Sequence, residues 1–140
     1  MMPVPPTVAV DIDGCLAHYH GWAGHDNIGK PFKGAAAFTR KLHAEGFFVL
    51  LYSTRCKGDV FGDYYNPLKL AEQVKQWATT HEIYFDEVYI GQGKPPAVAY
   101  VDDRAVQVFP PAYLNDADPW AYAIEQCRYL RDRPNQQEEA

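Results

Sequence analysis

Hydrophobic positions along this chain alternate between two patterns. Short unbroken runs rich in β-branched and aromatic residues occur at Thr7 to Ile12 (TVAVDI), Phe47 to Ser53 (FFVLLYS), Glu87 to Ile90 (EVYI) and Ala99 to Asp103 (AYVDD). Runs of that kind predict strands buried on both faces. Stretches suited to helix lie between them. Gly34 to Gly46 (GAAAFTRKLHAEG) predicts a helix with Phe38 and Leu42 at i and i+4 and Gly46 as its stop. Pro67 opens a second helix reaching about His81, with Leu70, Val74 and Trp77 on one stripe. Asp118 as N-cap and Pro119 as first residue predict a last helix through about Arg131, and Gln107 to Phe109 predicts a short fifth strand.

Strand and helix in alternation define the α/β class. The expected architecture is a Rossmann-like three-layer α/β/α sandwich on a mainly parallel sheet, with a ligand crevice at the carboxyl ends of the strands. Residues 1–132 form a single domain in this reading, and 133–140 form a polar tail expected to be disordered. At 140 residues the chain has room for one core and no disulfide or structural metal is needed to staple it.

Composition narrows the setting. A net charge of −5 excludes general attraction to nucleic-acid backbones, although a local basic groove stays open. The N-terminal MMPVPPTVAVDID has no basic residue ahead of its apolar run, and no apolar stretch approaches the roughly 18 residues that a membrane helix requires. Cys15, Cys56 and Cys127 are odd in number and widely spaced, which argues for thiols in a reducing cytoplasm.

The candidate chemistry sits where the predicted strands end. Asp11 and Asp13 close the first strand, Ser53 and Thr54 the second, and Asp102 and Asp103 the fourth, while Lys94 lies in the loop after the third. Parallel strands place these ends on one rim. If strand geometry persists through Asp13, Asp11 and Asp13 face the same side. Up to four carboxylates in a small volume raise one another's pKa unless a cation joins them, and an all-oxygen donor set suits Mg2+. Lys94 and the Ser53 hydroxyl then supply a cation and a donor to phosphate oxygens.

VAVDIDGCL, FFVLLYSTR, the Lys in GQGKPP and AYVDDRAV, in that order and at those boundaries, resemble the haloacid dehalogenase (HAD) superfamily of phosphohydrolases over about residues 7 to 109. The resemblance implies a Mg2+-dependent phosphatase acting on a phosphomonoester through an aspartyl-phosphate. Asp11 would be the nucleophile and Asp13 the general acid and then base. The metal would be held by Asp11, the Asp13 backbone carbonyl, Asp102 and Asp103. Ser53 would bind the phosphoryl group and Lys94 would steady its charge. Gly14, Thr54, Arg55 and Lys57 join as substrate-binding residues. Members commonly carry Thr after DxDG, whereas Cys15 stands here and offers only a weak thiol donor.

Superfamily members usually insert a cap domain after the first strand or after the third. The gaps here, about twenty residues from Asp13 to Lys33 and fewer from Gly91 to Ala99, hold none, so the site is expected to be capless and open unless a Gly21 to Lys33 flap or a second copy covers it. An open site suits a phosphorylated small molecule or a nucleic-acid end. Arg55 and Lys57, with Tyr64 and Tyr65 in the same loop, read either as contacts to a nucleotide or polynucleotide end phosphate or as solvated loop charges and packing residues. The alternative from another class is a catalytically silent phosphate- or metal-binding module on the same fold. A receiver-like phospho-acceptor is disfavoured because its acid pair, single acid, hydroxyl and Lys follow a different order. His18, His20 and His25 read as flap residues or substrate contacts in preference to a zinc site, and His43 and His81 as surface residues on helices.

Overall fold

The computed structural model describes residues 5–21, 24, 27–53, 67–91, 93–107 and 118–133. Its elements are β1 (Thr7–Asp11), α1 (Ala35–Ala44), β2 (Phe48–Tyr52), α2 (Pro67–Thr80), β3 (Glu87–Val88), β4 (Ala99–Val101) and α3 (Pro119–Asp132). The four strands form one sheet in the order β3-β2-β1-β4, and every pairing is parallel. This is a Rossmann-like α/β arrangement. Of the expected fifth strand, Gln107 is not in a strand, and Val108 and Phe109 lie outside the described residues. The tail from 134 onward lies outside them as well.

Each strand is shorter than its apolar run. β4 ends at Val101 because the Asp102 carboxylate accepts the Arg104 amide at 2.8 Å, a side-chain turn that replaces the next ladder bond. β1 ends at Asp11 because the Ile12 carbonyl accepts both the Cys15 amide (3.1 Å) and the Ala17 amide (2.9 Å). Gly14 carries that turn with φ of 79°, a conformation that other residues rarely adopt.

The sheet faces have different tasks. Register pairs Val8 with Val49 and Val10 with Leu51, and these side chains enter one apolar core with Ile12, Val88, Ala35 of α1 and Leu70, Ala71, Val74, Trp77 and Ala78 of α2. The alternate residues Ala9, Asp11, Leu50 and Tyr52 point the other way. The stripe predicted for α2 is therefore the buried one. In α1 the buried residues are Ala35 and Thr39, with Leu42 partly buried, while Phe38 is 39% exposed. The reason is polar. Thr39 Oγ1 donates to the Ala36 carbonyl at 2.9 Å and accepts the Tyr84 amide at 2.9 Å, tying α1 to the segment that enters β3.

Among the described residues, α3 contributes none to this apolar core. No described residue of α3 is buried, and α3 attaches beside the chain that follows β4 through polar contacts, Arg133 to Asp103 and Gln126 to the Gln107 carbonyl. Its start matches expectation: Asp118 caps it, accepting from the Trp120 and Ala121 amides, and Pro119 follows. After β1 the chain folds back on itself, with the His18 amide bonded to the Lys30 carbonyl and the Phe32 amide to the Leu16 carbonyl, both at 2.8 Å. Gly29 is required there, since a Cβ would stand 2.0 Å from the His18 carbonyl oxygen. Trp77 Nε1 donates to the Gly29 carbonyl at 2.9 Å and pins this segment to α2. His81 lies half-buried with its ring 5.3 Å from that of Trp77, unlike the exposed His43.

Thr39→Val keeps the volume and removes both hydroxyl bonds, leaving the Tyr84 amide without its acceptor. The expected loss is about 1–3 kcal/mol of folding stability, read as a lower urea midpoint with an unchanged slope.

Candidate active site

The order β3-β2-β1-β4 places a topological switch point between β1 and β4, since the chain leaves β1 toward β2 and β3 and later returns to its other side. Pairing of Val10 with Val101 brings Asp11 and Asp102 level at the next position, and Asp103 follows. Carboxylate oxygens of Asp11, Asp102 and Asp103 all lie within 4.8 Å of one another. Residues more than ninety apart in sequence meet because both strands end at one rim.

Each of the two later carboxylates is held. Asp102 Oδ1 accepts the Arg104 amide at 2.8 Å, and its Oδ2 accepts the Tyr52 hydroxyl at 2.7 Å. Asp103 is bracketed by Arg133, which donates to its backbone carbonyl (3.0 Å) and its Oδ2 (3.2 Å), and by Arg104 at 3.7 Å. Burial pushes the Asp11 carboxyl up to about 7; the Ile12 backbone hydrogen bond opposes this, and the charges of Asp102, Asp103 and Asp13 add to it. Burial likewise pushes the Cys15 thiol up to about 12 and, with the Asp102 hydrogen bond, keeps the Tyr52 hydroxyl protonated. Protonated Cys15 Sγ reaches the Val101 carbonyl at 3.6 Å, so the residue standing in place of Thr still ties the loop after β1 to the end of β4.

Three mutually repelling carboxylates, one of them too buried to ionise easily, form an oxygen-only donor set that could hold a metal ion, and a cation would relieve both effects. Beside them lies a cavity of about 430 Å³ lined by Asp11, Ser53, Lys94 and Asp102 together with Tyr52, Tyr89 and Tyr100. Ser53 is buried at the end of β2. The Lys94 ammonium sits 4.1 Å from the centroid of the Tyr100 ring, and the Tyr100 hydroxyl donates to the Pro95 carbonyl at 2.7 Å.

Five of the expected residues are thereby gathered: Asp11, Ser53, Lys94 and Asp102 on one cavity, with Asp103 alongside. The Asp13 carboxylate is not one of the three that converge; β1 ends at Asp11 and the chain turns at Ile12, so the strand geometry that would have set its side does not extend to it. Its charge still acts on Asp11. The Gly14 amide donates to the Ala17 carbonyl at 2.8 Å. Thr54, Arg55 and Lys57 lie outside the described residues, as do Cys56, Tyr64, Tyr65 and His25. His18 packs on Phe32 with ring centroids 3.9 Å apart, and among the described residues no histidine group converges as metal ligands would. The sequence reading missed Tyr52, Tyr100 and Arg133. Tyr52 was within reach of it, since it sits beside Ser53 at the end of the same apolar run.

Fold and site together define a small Rossmann-like α/β protein whose sheet carries, at its switch point, a carboxylate group able to hold a metal. No helix of the described residues is long and apolar enough to cross a membrane. No protein-family model matches the chain, and neither does any curated protein. Among solved structures, a conserved protein from Bacteroides thetaiotaomicron is similar over 96% of both chains, with 20% identity and a TM-score of 0.52, which speaks to the fold. A protein from Vibrio cholerae aligns over 95% of this chain and 98% of its own at 20% identity, with a TM-score of 0.49. The Pnkp1/Rnl/Hen1 RNA repair complex contains a chain of which 32% aligns with 91% of this one, at 15% identity and a TM-score of 0.43.

Asp11 binds its proton more tightly folded than unfolded, so in chelator it draws stability out of the folded state as pH rises from about 4 to about 7 and contributes no further slope above that. Asp11→Asn removes this contribution. The variant is expected to gain stability relative to the parent across that window, measured by thermal or urea unfolding in chelator. Divalent cation should raise the parent's melting temperature more at pH 8 than at pH 5, because ligands must be ionised to bind it.

Proposed function

We propose that this chain is a Mg2+-dependent phosphomonoester hydrolase of the haloacid dehalogenase type, without a cap domain, acting through an aspartyl-phosphate. The observation that carries the reading is the meeting of Asp11, Ser53, Lys94 and Asp102 on one cavity, with Asp103 beside it. A nucleophile, a hydroxyl donor, a cation and metal-ligating carboxylates are the groups that phosphoryl transfer to a carboxylate requires.

Asp11 is the nucleophile. One of its carboxylate oxygens bonds to phosphorus as the bond from phosphorus to the ester oxygen breaks, and Asp13 gives its proton to the departing alkoxide. Water then attacks phosphorus and gives a proton to Asp13. The bond from phosphorus to Asp11 breaks, releasing inorganic phosphate and restoring both carboxyl groups. An Asp13 side chain outside the metal-ligating group supports this proton-carrying role. Ser53 donates to a non-transferring oxygen and Lys94 balances the charge of the phosphoryl group.

Asp11, Asp102 and Asp103 are the carboxylates that would hold Mg2+, joined by the Asp13 backbone carbonyl. Bound there, the ion supplies positive charge that keeps Asp11 ionised near neutral pH and offsets the charge of the phosphate. The reading extends to a nucleotide or polynucleotide end phosphate as substrate, supported by the short gaps after β1 and β3 and by Arg55 and Lys57 following Ser53 in the sequence. Free thiols at Cys15 and Cys127 support a reducing, cytoplasmic location.

The test is phosphate release from a panel of sugar, aryl and nucleoside phosphates and 5′- and 3′-phosphorylated oligonucleotides, with Mg2+ and with chelator. Release is expected with Mg2+ alone and should fall at least about a hundredfold in Asp11→Asn. An acid-stopped reaction with labelled ester should trap a phosphoenzyme in the parent. Turnover that survives Asp11→Asn overturns the covalent route, and cation binding without release from any ester identifies a silent binding module instead.

A further inference from the structure

The sequence supplies charge to this rim and says little about what aims it. Asp102 has both oxygens engaged, and only one partner is backbone: the Arg104 amide at 2.8 Å sets Oδ1, while the Tyr52 hydroxyl at 2.7 Å sets Oδ2. A carboxylate fixed at both oxygens cannot rotate to even out its repulsion with Asp11 and Asp103. Register explains why Tyr52 is the residue that reaches it. Asp11 pairs with Tyr52 on one side of β1 and lies level with Asp102 on the other, so the tyrosine spans the nucleophile's strand to the far carboxylate.

Lys94 has a matching arrangement. It lies in a loop that must carry a flexible side chain to the cavity. Tyr100, on β4 opposite Ala9, places its ring under the ammonium at 4.1 Å. The same tyrosine's hydroxyl holds the carbonyl of Pro95, the next residue along and one that is fully buried, at 2.7 Å. One side chain thus anchors the backbone beside Lys94 and steadies its charged tip. Both tyrosines line the cavity.

We propose that Tyr52 and Tyr100 are positioning residues with separate duties, Tyr52 orienting Asp102 for the cation and Tyr100 holding Lys94 for the phosphate. The proposal rests on the phosphohydrolase reading for the use of the site and on the geometry for the division of labour. Partners that orient metal-ligating carboxylates typically set metal affinity by tenfold to a hundredfold. Ammonium on a tyrosine face contributes on the scale of severalfold in affinity.

The two duties separate in a binding experiment that needs no turnover. Mn2+ affinity is read by its electron paramagnetic resonance signal and Mg2+ affinity by calorimetry. Inorganic phosphate is then titrated by calorimetry at saturating Mg2+. Tyr52→Phe keeps the ring and should weaken cation binding about tenfold or more, with phosphate affinity at saturating Mg2+ within about twofold of the parent. Tyr100→Leu should weaken phosphate binding about fivefold or more and leave cation affinity unchanged. Tyr100→Phe, which keeps the ring and loses the Pro95 bond, should fall between the parent and Tyr100→Leu.

Melting temperatures in chelator report any general loss of folding. Equal losses of cation and phosphate affinity in both variants, or no selective loss in either, overturn the proposal. The hydrolase reading fails separately, by absence of phosphate release from the parent while this selective pattern holds.

Discussion

Repulsion among three carboxylates held within 4.8 Å of one another is the constraint around which this rim is organised. In water such groups would move apart, and here the backbone forbids it. Asp11 and Asp102 leave adjacent parallel strands at the same level, and Asp103 is bound to follow. The protein answers the repulsion with the Arg104 amide and Tyr52 hydroxyl on Asp102 and the guanidinium groups of Arg133 and Arg104 on Asp103, while burial and the neighbouring charges push the Asp11 carboxyl up to about 7. A divalent cation would offset the same repulsion, and the three carboxylates could hold one.

The same rim also holds α3. That helix buries no described residue, so its attachment does not draw on the apolar core that holds α1 and α2. Its C-terminal Arg133 is bonded to the backbone and side chain of Asp103. A helix with no buried described residue is thus fastened to the carboxylate rim of the sheet.

Much of the fold was legible because buried parallel strands and amphipathic helices leave strong patterns. TVAVDI and FFVLLYS stand out as apolar runs, and the Leu70, Val74, Trp77 stripe of α2 is the stripe that the core uses. Phe38 misleads, because apolar character suggests burial while the hydrogen bonds of Thr39 select a different face of α1. Strand ends are shorter than the apolar runs for a local reason of the same sort: Asp102 and Ile12 divert backbone groups into turns. The site was legible as a set of residue types at strand ends. Alternation could not place Asp13, because β1 ends at Asp11 and the chain turns at Ile12, and the contacts of Tyr52, Tyr100 and Arg133 were not legible, because their partners are fifty, five and thirty residues away.

By itself the sequence determined the α/β class, the succession of elements, the net charge and the presence of carboxylates, a hydroxyl and a lysine at the ends of apolar runs. These follow from composition and period, which act locally along the chain. Only the tertiary structure decided that Asp11, Asp102 and Asp103 share one small volume, that Asp13 stands apart from them, and that Tyr52 and Tyr100 hold the groups that carry charge. Strand order and register set those distances, and both arise from the way the whole apolar core closes around β1, a condition that no single stretch of sequence contains.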